Sequence, residues 1–181
     1  MKIKKVGRYK KEKKETDRLI ALLNTYKNTS IKVQIISNKK CILVNGIEIK
    51  LPPKELAFYL WLSQQPERRI NINRQFCADT KYSASYLKTY SMVSSDSRVF
   101  TSFNVDREMV EQCSAETLSK LTDIRPFEKD WLQQIRSKIN GQFKKWLEAI
   151  VVEAIEIGSN EYNTQQHEVC YFMSETVIIE C

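Results

Sequence analysis

The fold is decided by the stretch KCILVNGIEIKLPPKELAFYLWLSQQ, residues 40–65. Two short runs rich in β-branched residues flank Asn45-Gly46, which is the strongest local signal for a two-residue type I′ hairpin. Pro52 and Pro53 then predict the start of a helix, since proline at the first helical position gives up only an N–H that has no partner there. The residues that follow are apolar almost all round, which predicts a helix buried on most sides.

The chain that precedes this stretch divides into a basic tail and a strand. SIKVQIIS, residues 30–37, is rich in Val and Ile and predicts a strand, whereas 12–28 has leucines at helical spacing and predicts a packing or dimerisation arm. We therefore separate a tail and arm, residues 1–30, from a domain spanning 31–181. A chain of 181 residues suits one domain with such an appendage.

Most of the net charge of +7 belongs to the tail. Residues 1–18 hold nine Lys or Arg and three Asp or Glu, a balance of +6, which leaves twenty basic and nineteen acidic residues, a balance of +1, for the rest. Such a tail can hold a phosphate backbone without reading its sequence, or it is simply a solvated linker. The tail residues that we expect to contact nucleic acid are Lys4, Lys5, Arg8, Lys10 and Lys11.

The middle of the chain is predicted to be helical, with a long insertion at about 80–125. Tyr82, Tyr86 and Tyr90 recur every four residues, so on a helix they share one face that either packs in the core or stacks on bases. The other predicted segments are a short helix over 70–78, a loop over 94–104 and a helix over 105–121 with Asn104 as its N-cap.

A second informative stretch, FEKDWLQQIRSKINGQFKKWLEAI, covers residues 127–150. At 100° per residue its large apolar side chains fall on one half of a helix, and Gly141 is a candidate break because glycine costs about 1 kcal/mol relative to alanine. The other half carries side chains that suit phosphate and base-edge contacts, although an ordinary solvated face has the same composition. The candidate contact residues are Gln133, Arg136, Ser137, Asn140 and Lys144.

The C-terminal segment returns to β-type residues, in 149–158, 167–173 and 176–181. Strands, a buried helix, further helices, an amphipathic helix and closing strands give an α+β fold. This order resembles a winged helix-turn-helix of the OmpR type, with an N-terminal hairpin, a helical middle carrying a long insertion and a C-terminal β wing. The resemblance implies a major-groove helix over 127–140 and a wing over about 157–172.

A narrower resemblance rests on IKLPPKELAFYLWLSQQ, on RSKIN, and on a β-rich end that contains Tyr162. These elements are similar to the C-terminal region of a CRISPR-associated family. Its members join a Rossmann-like domain, which binds or cleaves cyclic oligoadenylate, to a winged-helix-like domain. Nothing in residues 1–40 resembles the Rossmann-like half. The resemblance therefore implies a role in antiviral defence, beside an effector or a separate Rossmann-like partner, without the nuclease activity.

The sequence offers no catalytic, metal or cofactor site. The five cysteines are scattered and His167 is the only histidine, which argues against zinc and against Cys–His or Ser–His catalysis. The most nuclease-like fragment, Glu48-Ile49-Lys50, has no acidic residue between Asp17 and Glu48 to share a metal with it. We therefore expect a protein that is not an enzyme, although carboxylates distant in sequence can converge on a site.

Two classes of function stay open at this point. The first is a non-catalytic module that binds DNA or RNA, and the second is a protein-interaction or dimerisation module, a homodimer included. The nearly even charge of residues 19–181 favours the second class more than the overall charge suggests. With no apolar run of about 18 residues and no signal-peptide pattern, we expect a cytoplasmic protein without a membrane partner.

Overall fold

A computed structural model describes residues 31–121, 123–163, 168–174 and 178–180. Within these ranges the chain forms seven α-helices and seven strands in two small sheets, so the expected α+β class is confirmed. None of the described helices is both long and apolar enough to cross a membrane. Residues 1–30, and with them the basic tail and the expected helical arm, lie outside the described residues.

The first sheet contains the hairpin that the opening stretch predicts. Asn45 and Gly46 have φ values of +48° and +85°, as a type I′ turn requires, and the Asn45 side chain accepts a hydrogen bond from Lys32 N–H at 3.0 Å. The sheet order is β3-β2-β1-β7, antiparallel except for the parallel β1–β7 pair, so the end of the chain returns to its beginning. Its strands are β1 (Lys32–Ile36), β2 (Cys41–Val44), β3 (Ile47–Lys50) and β7 (Ile178–Glu180).

The first helix, α1 (Pro53–Ser63), follows the hairpin directly and begins at the second proline. Every residue from Glu55 to Leu62 is buried, which confirms the expectation of a helix enclosed on most sides. The remaining helices are α2 (Thr80–Val93), α3 (Ser97–Ser102), α4 (Arg107–Gln112), α5 (Ala115–Ser119), α6 (Lys129–Trp146) and α7 (Ala149–Ile155).

The second sheet joins distant parts of the chain. Strand β4 (Arg69–Ile72) follows α1, and the hairpin of β5 (Gly158–Asn163) and β6 (Glu168–Phe172) follows α7. The order is β4-β6-β5, all antiparallel. A Cβ at Gly158 would lie 2.5 Å from the Phe172 ring, so any larger residue there would require that ring to move.

Two local expectations are wrong. Residues 70–78 do not form a helix: they contain most of β4, where Ile70 and Ile72 alternate inward, followed by a short 3₁₀ turn. The expected strand at 149–158 is largely α7, because Val151, Val152 and Ile155 bury one side at helical spacing. Tertiary burial overrides the β preference of these residues.

The insertion is also more segmented than expected. The expected loop at 94–104 contains α3, and the expected helix at 105–121 is divided into α4 and α5. Asp106, not Asn104, is the N-cap residue of α4, while Asn104 takes a left-handed φ of +57°. In contrast, α6 runs without interruption through Gly141, so the candidate break is absent.

An aromatic cluster forms the core between α1, α2 and the start of α6. Phe58, Tyr86 and Trp131 pack mutually with ring centroids 5.4–6.2 Å apart. Tyr86 and Tyr90 are 0% and 2% exposed, so these two members of the tyrosine stripe are core residues and are not available to stack on bases. This cluster fixes the position of α6 against α1.

Candidate nucleic-acid interface

Helix α6 has one buried and one exposed side. Leu132, Ile135, Ile139 and Phe143 are at most 1% exposed and face the core. Between Asp130 and Glu148 the chain has no acidic residue and four cationic ones, Arg136, Lys138, Lys144 and Lys145. The part of α6 that follows Asp130 therefore contains no acidic residue that could neutralise its positive charge.

Asn140 does not lie on the outer face of α6, and the expectation that it does is wrong. The residue is 7% exposed, and its side chain forms two hydrogen bonds with the backbone of Ile157. Nδ2 donates to Ile157 O at 3.0 Å, and Ile157 N–H donates to Oδ1 at 2.9 Å. Asn140 sits on the flank of the apolar stripe where the segment that leads into β5 packs, so its amide is used for folding.

Arg136 is half-buried on the same flank. Its Nε donates to Ile157 O at 3.0 Å, and its guanidinium carbon lies 5.1 Å from the centroid of the Tyr171 ring in β6. Burial raises the pKa of Tyr171, and the nearby Arg136 cation partly opposes that rise. Arg136 and Asn140 thus attach the β5–β6 hairpin to α6. The expected contact of Arg136 with a base stays a prediction.

The other three expected helix residues, Gln133, Ser137 and Lys144, are exposed. Lys144 Nζ lies 3.5 Å from a carboxylate oxygen of Glu156, and this pair is open to solvent at its lysine end. Exposed pairs of this kind stabilise a fold by about 0–1 kcal/mol. Lys144 can therefore exchange its partner for a phosphate at little cost.

The structure adds Gln134, Lys138 and Lys145 to the residues expected from the sequence. All three are exposed. A helical wheel centred on the buried residues, not on the aromatic ones alone, would have found them, because it places position 141 opposite the core. We define the α6 face as Gln133, Gln134, Ser137, Lys138, Gly141, Lys144 and Lys145.

The middle of the α6 face is flat. Ser137 carries a small side chain and Gly141 carries none, and beyond the adjoining helix backbone no described atom lies within 4 Å of the place where a Cβ on Gly141 would be. Longer polar side chains surround this shallow centre. Such a surface lets a ligand backbone approach the helix axis closely.

Helix α1 contributes charge beside this face. Glu55 is buried, and its carboxylate lies 3.9 Å from Lys138 Nζ. Lys54 Nζ lies 4.9 Å from the Trp131 ring centroid. Burial lowers the pKa of Lys54; the Glu55 carboxylate partly opposes this effect, and the positive charge of Lys138 adds to it. Lys54 and Lys138 therefore lie close to each other near the start of α1.

The remaining expected site residues cannot be placed. Lys4, Lys5, Arg8, Lys10 and Lys11 lie in the basic tail, outside the described residues, as does His167. Among the residues that the structure describes, no group of three or more His, Cys, Asp or Glu side chains is positioned to hold a metal ion.

Comparisons with protein-family models, with curated proteins and with solved structures found no match for this chain. They therefore link it neither to the OmpR-type nor to the CRISPR-associated proteins that its sequence resembles.

Proposed function

We propose that this chain is a non-catalytic nucleic-acid-binding module with a winged-helix-like arrangement, in which the α6 face contacts the nucleic acid. The order of elements supports the arrangement: α1, β4, α2, α6 and the β5–β6 hairpin occur in this order along the chain, with the short α7 between α6 and the hairpin, and β4 pairs with β6. In this description α3, α4 and α5 form an insertion between α2 and α6, the helix that would contact the bases. The hairpin takes the place of the wing.

The observation that carries the proposal is the α6 face itself. It combines three cationic side chains, the amides of Gln133 and Gln134 and a flat centre, and acidic residues are missing from 131–147. Glutamine amides suit adenine edges, and lysine suits guanine or phosphate. A helix with these groups can read the major groove while its lysines neutralise the backbone.

Binding at two salt concentrations tests this proposal. Fluorescence anisotropy would measure the affinity for duplex DNA and for single-stranded RNA at about 50 and 200 mM salt. We expect affinity to fall steeply with salt, and Lys138→Ala with Lys145→Ala to reduce the slope by about one for each phosphate that a lysine no longer neutralises. Lys120→Ala is the matched control, because Lys120 is a 72% exposed lysine at the end of α5 and is not part of the α6 face.

Two results would separate the α6 face from the tail. Deleting residues 1–18 should weaken binding without removing the effect of the α6 substitutions. If the deletion abolishes all binding while Lys138→Ala and Lys145→Ala change nothing, the α6 proposal is wrong and the tail acts alone.

The alternative function is a protein-interaction or dimerisation module. The nearly even charge outside the tail favours this function. Met92, which is 74% exposed on α2, and Ile47, which is 50% exposed on β3, are candidate contact residues. The partner would be a second copy, a CRISPR effector or a Rossmann-like domain. Light scattering that shows a stable dimer, together with no nucleic-acid binding, would favour this function over the first.

A further inference from the structure

A groove of about 580 Å³ lies between strand β4, the turn before it and the first turn of α2. Its volume falls in the range of roughly 300–1,000 Å³ that small-molecule sites occupy. It is lined by carboxamides, two cationic side chains, the Asp79 carboxylate and aromatic rings, a composition that the α6 face does not share. The α6 proposal does not use this groove.

The carboxamides of the groove have unused hydrogen-bonding capacity. Neither Asn71 on β4 nor Gln75 in the following loop bonds through its side chain to another described residue, and both are exposed. Asn73 accepts a bond from Phe76 N–H at 2.8 Å through Oδ1, which leaves its Nδ2 to point elsewhere. A carboxamide donates and accepts side by side, which is the pattern of a base edge.

The cations of the groove are held by weak, exposed contacts. Arg69 lies 3.7 Å from Glu67, and Lys81 Nζ lies 3.1 Å from a carboxylate oxygen of Asp79. The Arg69 and Lys81 side chains are 42% and 59% exposed. Exposed pairs of this kind contribute little to stability, so an incoming anion can take one of these cations as its partner.

The wall behind these groups is aromatic. Tyr82 stacks on Phe76 with a centroid distance of 4.3 Å, and Phe76 is parallel to Phe127, the ring just before α6, at 6.1 Å. Lys81 Nζ lies 4.8 Å from the centroid of the Tyr82 ring. The groove is therefore anchored to the aromatic core and lies beside the start of α6.

We propose that this groove binds a nucleotide. The amides of Asn71 and Gln75 pair with the base edge, and Arg69 and Lys81 hold the phosphate. A free mononucleotide and the end of a single strand present the same groups. The inference stands independently of duplex binding by the α6 face, because it uses none of the same residues.

Titration of the ¹⁵N-labelled full-length protein followed by NMR tests the proposal. The probes are each of the four ribonucleoside 5′-monophosphates, a tetraribonucleotide and inorganic phosphate. We expect saturable shifts at amides of residues 69–82 with at least one nucleotide, and a loss of roughly tenfold in its affinity with Gln75→Ala. Gln112→Ala is the control, since Gln112 is an exposed carboxamide on α4, outside this groove.

The outcomes distinguish a free nucleotide from the end of a strand, and they distinguish the groove proposal from the α6 proposal. Tighter binding of the tetranucleotide than of the monophosphate identifies a strand end as the ligand, and the reverse identifies a free nucleotide. No saturable shift below about 10 mM, or equal binding of inorganic phosphate that Gln75→Ala leaves unchanged, overturns the proposal. The double variant Lys138→Ala, Lys145→Ala should bind the nucleotide as the wild type does. The groove proposal can therefore fail or succeed independently of duplex binding by the α6 face.

Discussion

Asn140 and Ile157 form a reciprocal pair of hydrogen bonds, with Nδ2 donating to Ile157 O at 3.0 Å and Ile157 N–H donating to Oδ1 at 2.9 Å. Both residues are buried. The pair fixes where the chain leaves α7 and enters β5, so it sets the position of the hairpin relative to α6. An exposed, base-reading asparagine would have no such constraint.

Replacing Asn140 with alanine should destabilise the fold. Ile157 N–H loses its acceptor, whereas Ile157 O keeps Arg136 Nε as a donor at 3.0 Å. Leaving one buried donor unpaired costs about 1–3 kcal/mol of the free energy of unfolding, which urea denaturation measures. Ser137→Ala, an exposed position one turn earlier, should stay within about 0.5 kcal/mol of the wild type. If Asn140→Ala keeps full stability and loses only nucleic-acid affinity, the structural role is refuted.

Replacing Gly141 with alanine should stabilise the protein. The position is exposed inside a continuous helix, and nothing lies within 4 Å of an added Cβ, so the change removes the entropic cost of glycine without a clash. We expect a gain of about 0.5–1 kcal/mol in the free energy of unfolding. The same variant should bind duplex DNA more weakly if the α6 face needs close approach. Unchanged affinity would show that the flat centre does not touch the nucleic acid.

Lys88 on α2 anchors the insertion. Its Nζ donates to Val110 O at 2.8 Å and to Cys113 O at 2.9 Å, at the C-terminal end of α4, where a cation also complements the helix dipole. Lys88→Met keeps most of the side-chain length and should cost about 1.5–3 kcal/mol, the value of hydrogen bonds from a charged donor.

Hydrogen exchange checks where the effect of Lys88→Met falls. Amides of 107–113 should exchange faster in this variant, whereas Lys120→Met, on an exposed lysine, should leave them unchanged. Unaltered protection of α4 in Lys88→Met would mean that these carbonyl contacts do not hold the insertion.

Buried tyrosines should make the fold sensitive to alkali. Burial raises the pKa of Tyr59, Tyr86 and Tyr171 above the ordinary value of 10.0. Their contribution to stability is fully present below pH 10, where the hydroxyl stays protonated in the unfolded chain too. It is lost as the pH rises from there towards the folded-state pKa values.

Urea unfolding between pH 8 and 11 measures this dependence. Each such tyrosine adds a slope of up to about 1.4 kcal/mol per pH unit above pH 10. Tyr59→Phe should remove one of these slopes, although it also leaves Ile155 O without the 2.9 Å bond from the Tyr59 hydroxyl. A free energy of unfolding that stays level from pH 9 to 11 would contradict the assignment of these hydroxyls as buried and neutral.

Local sequence patterns predicted the elements whose cause is local. The Asn45-Gly46 turn, the proline-initiated α1 and the amphipathic α6 each follow from a few adjacent residues, through allowed φ values or through the side on which apolar residues recur. The basic tail and the stretch 131–147, which has no acidic residue, can likewise be identified from the sequence alone. These features also suggested the candidate interface.

Long-range contacts decided the rest. A helical wheel of α6 cannot show that its flank at Arg136 and Asn140 is covered by residues about twenty positions later. The sequence pattern therefore wrongly predicts that these two side chains lie on the open outer face. The groove likewise exists only because β4 and the start of α2 are brought together.

The sequence by itself determined the hairpin, the buried first helix, the amphipathic helix and the location of the charge, since each depends on neighbours a few residues apart. Only the tertiary structure decided that 149–155 is helical, that β7 pairs with β1, and that Asn140 pairs with Ile157. The physical reason is that burial and backbone pairing depend on residues far apart in the chain. Their contacts can reverse a local preference, and no short stretch encodes them.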